Sequence, residues 1–260
     1  MDIHITHIDT ACILLEIGTF KILTDPTLDG PGGLYYHGFG AVSRKTQQPA
    51  LPADGLKDID LILLSHDQHK DNLDHKGRAF TTNFPYVIST PAAARRMNNV
   101  TGLATWETHT VRTDKVPGLR ITATPAQHRP GWIPAFISGM VTGFVIEYDG
   151  QQNGVIYIAG DTVYFSGLEE VGRRYQIDTG IFNLGAVQFR YLSGFGAYTM
   201  DGRGLIKTAA ALRPYKIIPV HHSGWTHFKE QTAALLQILA TDPLTRNRMV
   251  LLQPGERTLI

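Results

Sequence analysis

DLILLSHDQHKDNLD, residues 60–74, decides how this chain of 260 residues is read. An apolar run of strand length, Leu61 to Leu64, breaks into a polar segment that holds His66, Asp67, His69, Asp71 and Asp74. Short apolar runs bounded by turn residues read as buried strands, and in open α/β sheets ligand sites lie beyond the carboxyl ends of the strands. Three further runs end in the same way: ITATPA (121–126) before His128, VIYIAG (155–160) before Asp161, and KIIPV (216–220) before His221. Four such ends can converge on one point. Imidazoles and carboxylates gathered there without a cysteine suit zinc, manganese or iron rather than a thiolate structural site.

Composition sets the bounds. A hydrophobic content of 43%, a charged content of 18% and a net charge of +1 describe an ordinary globule, expected to form one domain over residues 1–260. Nucleic-acid binding would need clustered lysine and arginine, which the sequence lacks, so a small-molecule substrate is the expected partner. Oligomeric state is left open. Cys12 stands alone, which rules out an intrachain disulfide, and its apolar neighbours point to a buried structural thiol. No apolar run approaches the ~18 residues of a membrane span, and MDIHITHIDT lacks a basic segment leading into an apolar one. The expectation is a cytoplasmic protein.

Along the chain, strands are expected at 2–8, 11–17, 20–24 and 59–64. Residues 25–55, rich in glycine, proline and aromatics, are too long for an idle connection and are a candidate lid or pocket wall, with a plain surface excursion as the alternative. Thr90 is a suitable N-cap for a short helix over 91–98, with Pro91 in its first turn. Strands near 119–124, 141–148 and 155–159 follow, the last two joined by a hairpin turn. The second half alternates helix and strand: helices at 166–174, 201–212 and 227–240, strands at 178–183, 216–220 and 248–252.

Five segments, in this order, resemble the metallo-β-lactamase superfamily: LTDPTLD (23–29), SHDQHKDNLD (65–74), TPAQH (124–128), GFVIEYDG (143–150) leading into IAGDT, and IPVHHSGW (218–225). The similarity covers nearly the whole chain and is nearest to the branch of L-ascorbate-6-phosphate lactonase and N-acyl phosphatidylethanolamine phospholipase D. It implies a four-layer αβ/βα sandwich and a hydrolase that uses one or two divalent ions, zinc or manganese before iron. Members carry His-x-His-x-Asp-His in the first loop. Read without a gap, Gln68 and Lys70 fall on ligand positions, and an ammonium cannot ligate a cation. One inserted residue after His66 instead aligns His69, Asp71 and Asn72.

In that register the resemblance implies that His66, His69 and His128 hold one ion, that Asp161 bridges, and that Asp71, Asn72 and His221 belong to a second. The amide of Asn72 is a poor zinc donor, so the second position is expected to be weak, empty or filled by a harder ion, unless His75 compensates. Such ions bring the pKa of bound water from about 16 to near 7. Asp71 would then orient that nucleophile and take its proton, Asp74 would fix an imidazole tautomer, and His222 would act as general acid or oxyanion donor. The expected reaction is attack of metal-bound hydroxide on a phosphodiester, lactone or related ester. An iron-dependent oxidoreductase, or a degenerate ligand-binding member suggested by Gln68 and Asn72, are the alternatives.

The other histidines, His4, His7, His37, His109 and His227, are expected to be surface or satisfied core groups. Trp132, Phe136, Phe189, Tyr191, Phe195, Tyr198 and Trp225 are candidates to line an apolar pocket, and Lys70, Arg129 and Arg190 to neutralise a phosphate.

Overall fold

The computed structural model describes all 260 residues. In chain order the strands are β1 (Ile3–Asp9), β2 (Cys12–Ile17), β3 (Phe20–Thr24), β4 (Gly32–Gly38), β5 (Ala41–Lys45), β6 (Leu61–Leu63), β7 (Val87–Ser89) and β8 (Val100–Gly102). They continue as β9 (Thr108–Thr110), β10 (Arg120–Pro125), β11 (Thr142–Glu147), β12 (Val155–Ile158), β13 (Ile177–Asn183), β14 (Lys216–Val220) and β15 (Arg257–Leu259). The helices are α1 (His75–Thr82), α2 (Pro91–Ala94), α3 (Ala135–Ser138), α4 (Ser166–Arg174), α5 (Arg190–Ser193), α6 (Gly202–Leu212), α7 (Thr232–Leu239) and α8 (Pro243–Arg248).

Two sheets form the body of the molecule. One is seven-stranded with the order β15-β1-β2-β3-β6-β7-β8, the other six-stranded with the order β14-β13-β12-β11-β10-β9. Alternation of side chains along a strand gives each sheet two apolar faces. Ile5, Leu15, Ile22 and Leu63 of the first sheet meet Ile121, Phe144, Ile158 and Ile181 of the second in one buried cluster between the sheets. Val145, Tyr157 and Phe182 face the other way, under Leu168 of α4, Leu205 of α6 and Leu235 of α7. Leu23, Ile62 and Val87 form the outer face of the first sheet, where Phe80 of α1 packs. Each fully buried side chain of this kind contributes roughly 1.5–3 kcal/mol of transfer free energy. Helix, sheet, sheet and helix make a four-layer αβ/βα sandwich, the architecture that the sequence resemblance implies. No helix is long and apolar enough to cross a membrane.

Most expected elements appear within a residue or two of their expected bounds, and Thr90 caps α2 by accepting from the Ala93 amide at 3.1 Å. Three differ. The run at 248–252 is not a strand: Met249 makes a single bridge to Ile217, while Leu252 and Val250 pack at the edge of the inter-sheet core. Its apolar character serves packing, not pairing. The helix expected over 227–240 begins only at Thr232, because residues 221–231 turn back across the site. Residues 32–45 form a β-hairpin, β4–β5, whose tip reaches the candidate site.

Candidate metal centre

The parallel strands β3, β6 and β7 of one sheet and β12, β13 and β14 of the other run in register, and the segments after β6, β12 and β14 supply ligand-type side chains. Beyond β6 the chain is held down by Asp25, whose Oδ1 accepts the Ser65 amide at 2.7 Å. Beyond β12, Gly160 (φ +62°) lets the chain turn: a Cβ there would meet the Thr142 carbonyl at 2.5 Å and the Ser65 side chain at 3.2 Å. Beyond β14, His221 itself takes a left-handed conformation (φ 59°), fixed by its amide donating to the Thr10 carbonyl at 2.9 Å. Such backbone strain in a non-glycine residue is retained where function demands a side-chain direction.

These turns bring together two groups, His66 with His69 and His128, and Asp71 with Asp161 and His221. His66 Nε2 lies 3.1 Å, and His128 Nε2 3.0 Å, from His69 Nδ1. His221 Nε2 lies 3.4 Å from Asp71 Oδ2 and 3.6 Å from Asp161 Oδ1. The tautomers are set from behind. His128 Nδ1 donates to the Tyr198 carbonyl at 2.9 Å and His221 Nδ1 to the Leu184 carbonyl at 3.1 Å, which turns both Nε2 atoms inward. Asn183 holds Asp161 by donating to its Oδ1 at 2.8 Å.

The donor set fits divalent cations. A tetrahedral ion with Zn–N bonds of about 2.0–2.1 Å spaces its nitrogen ligands about 3.3 Å apart, close to the imidazole separations found. Burial, reinforced by neighbouring imidazoles, lowers His66 to about 3 and pushes His69 down as well; burial also lowers His128. All three therefore offer lone pairs at neutral pH. In the second group burial opposes charge, yet Asp161 and Asp71 overrule it and raise His221 to about 9. The same pairing holds both carboxyls below the usual carboxylate range despite their burial. Two carboxylates around one protonatable ring form a place that calls for positive charge. Asp161 Oδ2 and His221 Nε2 are buried without a hydrogen-bond partner, a deficit of about 1–3 kcal/mol each that a cation would remove.

Other sequence-derived residues fall elsewhere. Gln68 points out of the centre and donates to the Ser138 and Met140 carbonyls at 2.9 and 3.0 Å. The amide nitrogen of Asn72 faces the carboxylates, 3.4 Å from Asp25 Oδ2 and 3.5 Å from Asp161 Oδ1, so it sits at the site as a donor to the ligands. His75 does not compensate for it: it opens α1, stacks on Tyr35 and lies 3.2 Å from Asp29 Oδ2, with its side chain 67% exposed. Asp74 touches no imidazole. It caps α1 through the Gly77 amide and pairs with Lys45 at 2.9 Å, because the loop has already turned into the helix there. His222 is also turned away, bonding Thr232 Oγ1 at 2.9 Å, since the left-handed turn at His221 redirects the chain beyond β14. Its expected role as acid or oxyanion donor has no support in this placement. Arg129 spends its guanidinium on backbone carbonyls, 2.7 Å from that of Ile133, and Arg190 lies over the Phe195 ring.

Three residues at the centre escaped the sequence reading. His227 Nε2 lies 2.9 Å from Asp71 Oδ2, and His37 Nδ1 lies 3.7 Å from Asp71 Oδ1. Asp25 sits beneath the loop, its carboxyl raised to about 7 by burial. His37 and His227 were expected to be ordinary; the hairpin and the loop after β14 carry them to the same cavity wall. The only signals were the position of His37 in the over-long connection and of His227 just past IPVHHSGW.

Residues 21–222 match the family described as the beta-lactamase superfamily domain. A UPF0173 metal-dependent hydrolase of Methanoregula boonei is 28% identical over 97% of this chain and 96% of its own. The fold is similar to that of an isothiocyanate hydrolase from Delia radicum gut bacteria, with a TM-score of 0.81 at 21% identity over 99% of each chain. It is also similar to that of Igni18, a metallo hydrolase from Ignicoccus hospitalis, with a TM-score of 0.73 at 21% identity over 100% of this chain and 99% of that one. Sequence match, sandwich architecture and converging ligand groups agree that this chain belongs to the metallo-β-lactamase superfamily.

Proposed function

We propose that the chain, acting as one unit over residues 1–260, is a metal-dependent hydrolase of a phosphodiester, lactone or related ester. The carrying observation is the pair of buried groups, His66–His69–His128 and Asp71–Asp161–His221, with unpartnered Nε2 and Oδ atoms between them. The metal-dependent hydrolase named above, similar over nearly its full length, supports the same reading. In it His66, His69 and His128 would hold one ion and Asp71 and His221 a second, zinc or manganese, with Asp161 shared between the two groups. The five motifs support a likeness to the ascorbate-phosphate lactonase and phospholipase D branch, and the plain composition suits a cytoplasmic location and a small-molecule substrate.

When bound, the cations supply Lewis acidity and make water acidic enough to react near neutral pH. The chain does the rest. His128 and His221 are clamped by backbone carbonyls and cannot turn their lone pairs away. Asp71, held by His227 and lining the cavity, stays anionic and accepts the proton of the attacking water. Asn183 and Asn72 fix the carboxylate of Asp161.

Elemental analysis of protein purified without added metal, paired with Asp161→Ala, tests this. The substitution lowers bound metal and hydrolysis together; a variant with full metal and full rate overturns the bridging role. Abundant iron with redox turnover and no ester cleavage overturns the hydrolase reading in favour of an oxidoreductase.

A further inference from the structure

The cavity above the ligand atoms is half-open, with about 390 Å³ of empty space that includes open solvent at its mouth. Its wall comes from three places: Phe39 in the β4–β5 hairpin, Ile137 in α3, and Phe189 and Leu192 at α5. No lysine or arginine lines it. Of the nearby basic side chains, Arg129 is engaged with backbone carbonyls, Arg96 with Asp67 at 2.8 Å, and Lys45 with Asp9 and Asp74, while Lys70, next to His69, makes no ion pair and lies outside the wall. Arg95, which makes no ion pair, lies only in an adjoining groove. Among the wall's side chains the one carboxylate is Asp71.

Outside the cavity the apolar character continues. Phe39 contacts Phe136 (ring centroids 6.4 Å), which is 73% exposed, and Phe189 contacts Tyr191 (6.5 Å), which is 65% exposed. Exposed aromatic pairs at the mouth of a buried centre are costly to leave in water unless an apolar group is received there.

We propose that the substrate is an uncharged carboxylic ester or lactone with a compact apolar acyl part, and that Phe39, Ile137, Phe189 and Leu192 select it. This rests on the hydrolase reading and narrows it. Water oxygen bonds to the acyl carbon, the acyl C–O bond breaks, the alcohol oxygen takes up a proton and the resulting acid loses one to solvent. A substrate whose charge lies in the acyl part would carry it against Phe39, Ile137, Phe189 and Leu192, none of which can pair with it, a penalty that burial makes large.

The test uses the metal-loaded chain with two esters that share a leaving group, p-nitrophenyl butyrate and mono-p-nitrophenyl succinate, with bis(p-nitrophenyl) phosphate as the anionic comparator. The butyrate is expected to exceed the succinate in kcat/KM by about 100-fold, the scale of an uncompensated charge. Leu192→Arg, at a half-buried wall position, narrows that ratio at least about 10-fold while leaving the metal content unchanged. Leu192→Trp, which fills the same space, raises KM for the butyrate more than for p-nitrophenyl acetate. Equal or better use of the succinate, or phosphodiester turnover above the butyrate that is lost in Arg95→Ala, overturns the proposal. If the fully loaded protein cleaves none of these compounds, the hydrolase reading itself falls.

Discussion

His227 Nε2 lies 2.9 Å from Oδ2 of Asp71, and the His227 ring stacks on Phe189 at 5.2 Å with 13° between planes. One imidazole therefore joins a candidate metal carboxylate to the apolar wall of the cavity. His227→Ala removes the donor and loosens the stack. Outer partners of this kind are typically worth 10–100-fold in metal affinity or activity. A loss of about 10–100-fold in kcat, with weaker retention of the ion at the Asp71 group during chelator titration, is the expected result. His227→Gln, which keeps a donor, is expected to recover part of both. Unchanged kcat and metal retention in His227→Ala would show that the contact is ordinary packing.

Asn72 stands where the family pattern has a histidine, and here its amide nitrogen lies between Asp25 and Asp161. An imidazole at this place presents a lone pair to the Asp71–Asp161–His221 group. Asn72→His is therefore expected to raise the ion count per chain, read by elemental analysis after dialysis against limiting metal. A count equal to that of the unaltered protein would mean that the segment aligns differently.

Lys45 is fully buried and bonds Asp9 at 2.7 Å and Asp74 at 2.9 Å, both fully buried as well. Breaking a buried pair leaves uncompensated charge and costs about 3–5 kcal/mol. Lys45→Met is expected to lower the stability of the fold by that order in denaturant titration. Because Asp74 also caps α1, the loop carrying Asp71 becomes more susceptible to protease. A denaturation midpoint within error of the parent would refute the role of this triad.

Asp67 accepts from Arg96 Nε at 2.8 Å and pairs with Arg78, and these contacts hold its carboxyl below the usual carboxylate range although burial pushes the other way. A depressed carboxylate stabilises the native state fully above its unfolded pKa of about 4 and loses that contribution as pH falls through its lower folded value. Both arginines are partly exposed, so screening keeps the contribution near 1 kcal/mol. Asp67→Asn is expected to lower the melting temperature by a constant amount from pH 5 to 8, about 2–4 °C for a chain of this size, the gap closing in acid. A gap that is unchanged at pH 3 would rule out the charge as its cause.

The strand ends that carry His66, His128, Asp161 and His221 were legible because short β-branched runs, bounded by turn residues, announce both the strand and its exit. Register in the first loop was legible only through ligand chemistry, Lys70 being unable to bind a cation. His37, His227 and Asp25 were not legible. Each is a lone residue in an irregular segment, and its proximity to Asp71 or Ser65 comes from tertiary closure rather than spacing. The hairpin β4–β5 was hidden by glycines that weaken the strand pattern, and β8 and β9, at three residues each, are too short for any period to show. The assignments that missed, His222 to the site and Asp74 to an imidazole, assumed that nearness in sequence continues as nearness in space. A left-handed turn at His221 and a helix cap at Asp74 end that continuity.

The hairpin is moored at its base and open at its tip: Lys45 is locked among carboxylates, whereas Phe39 stands half in water. Drift at the tip, residues 38–40, can therefore retune which molecules are admitted while the ligand cluster below, His37 included, is left intact, so that new specificities arise from this chain by changes in one small, dispensable-looking ribbon.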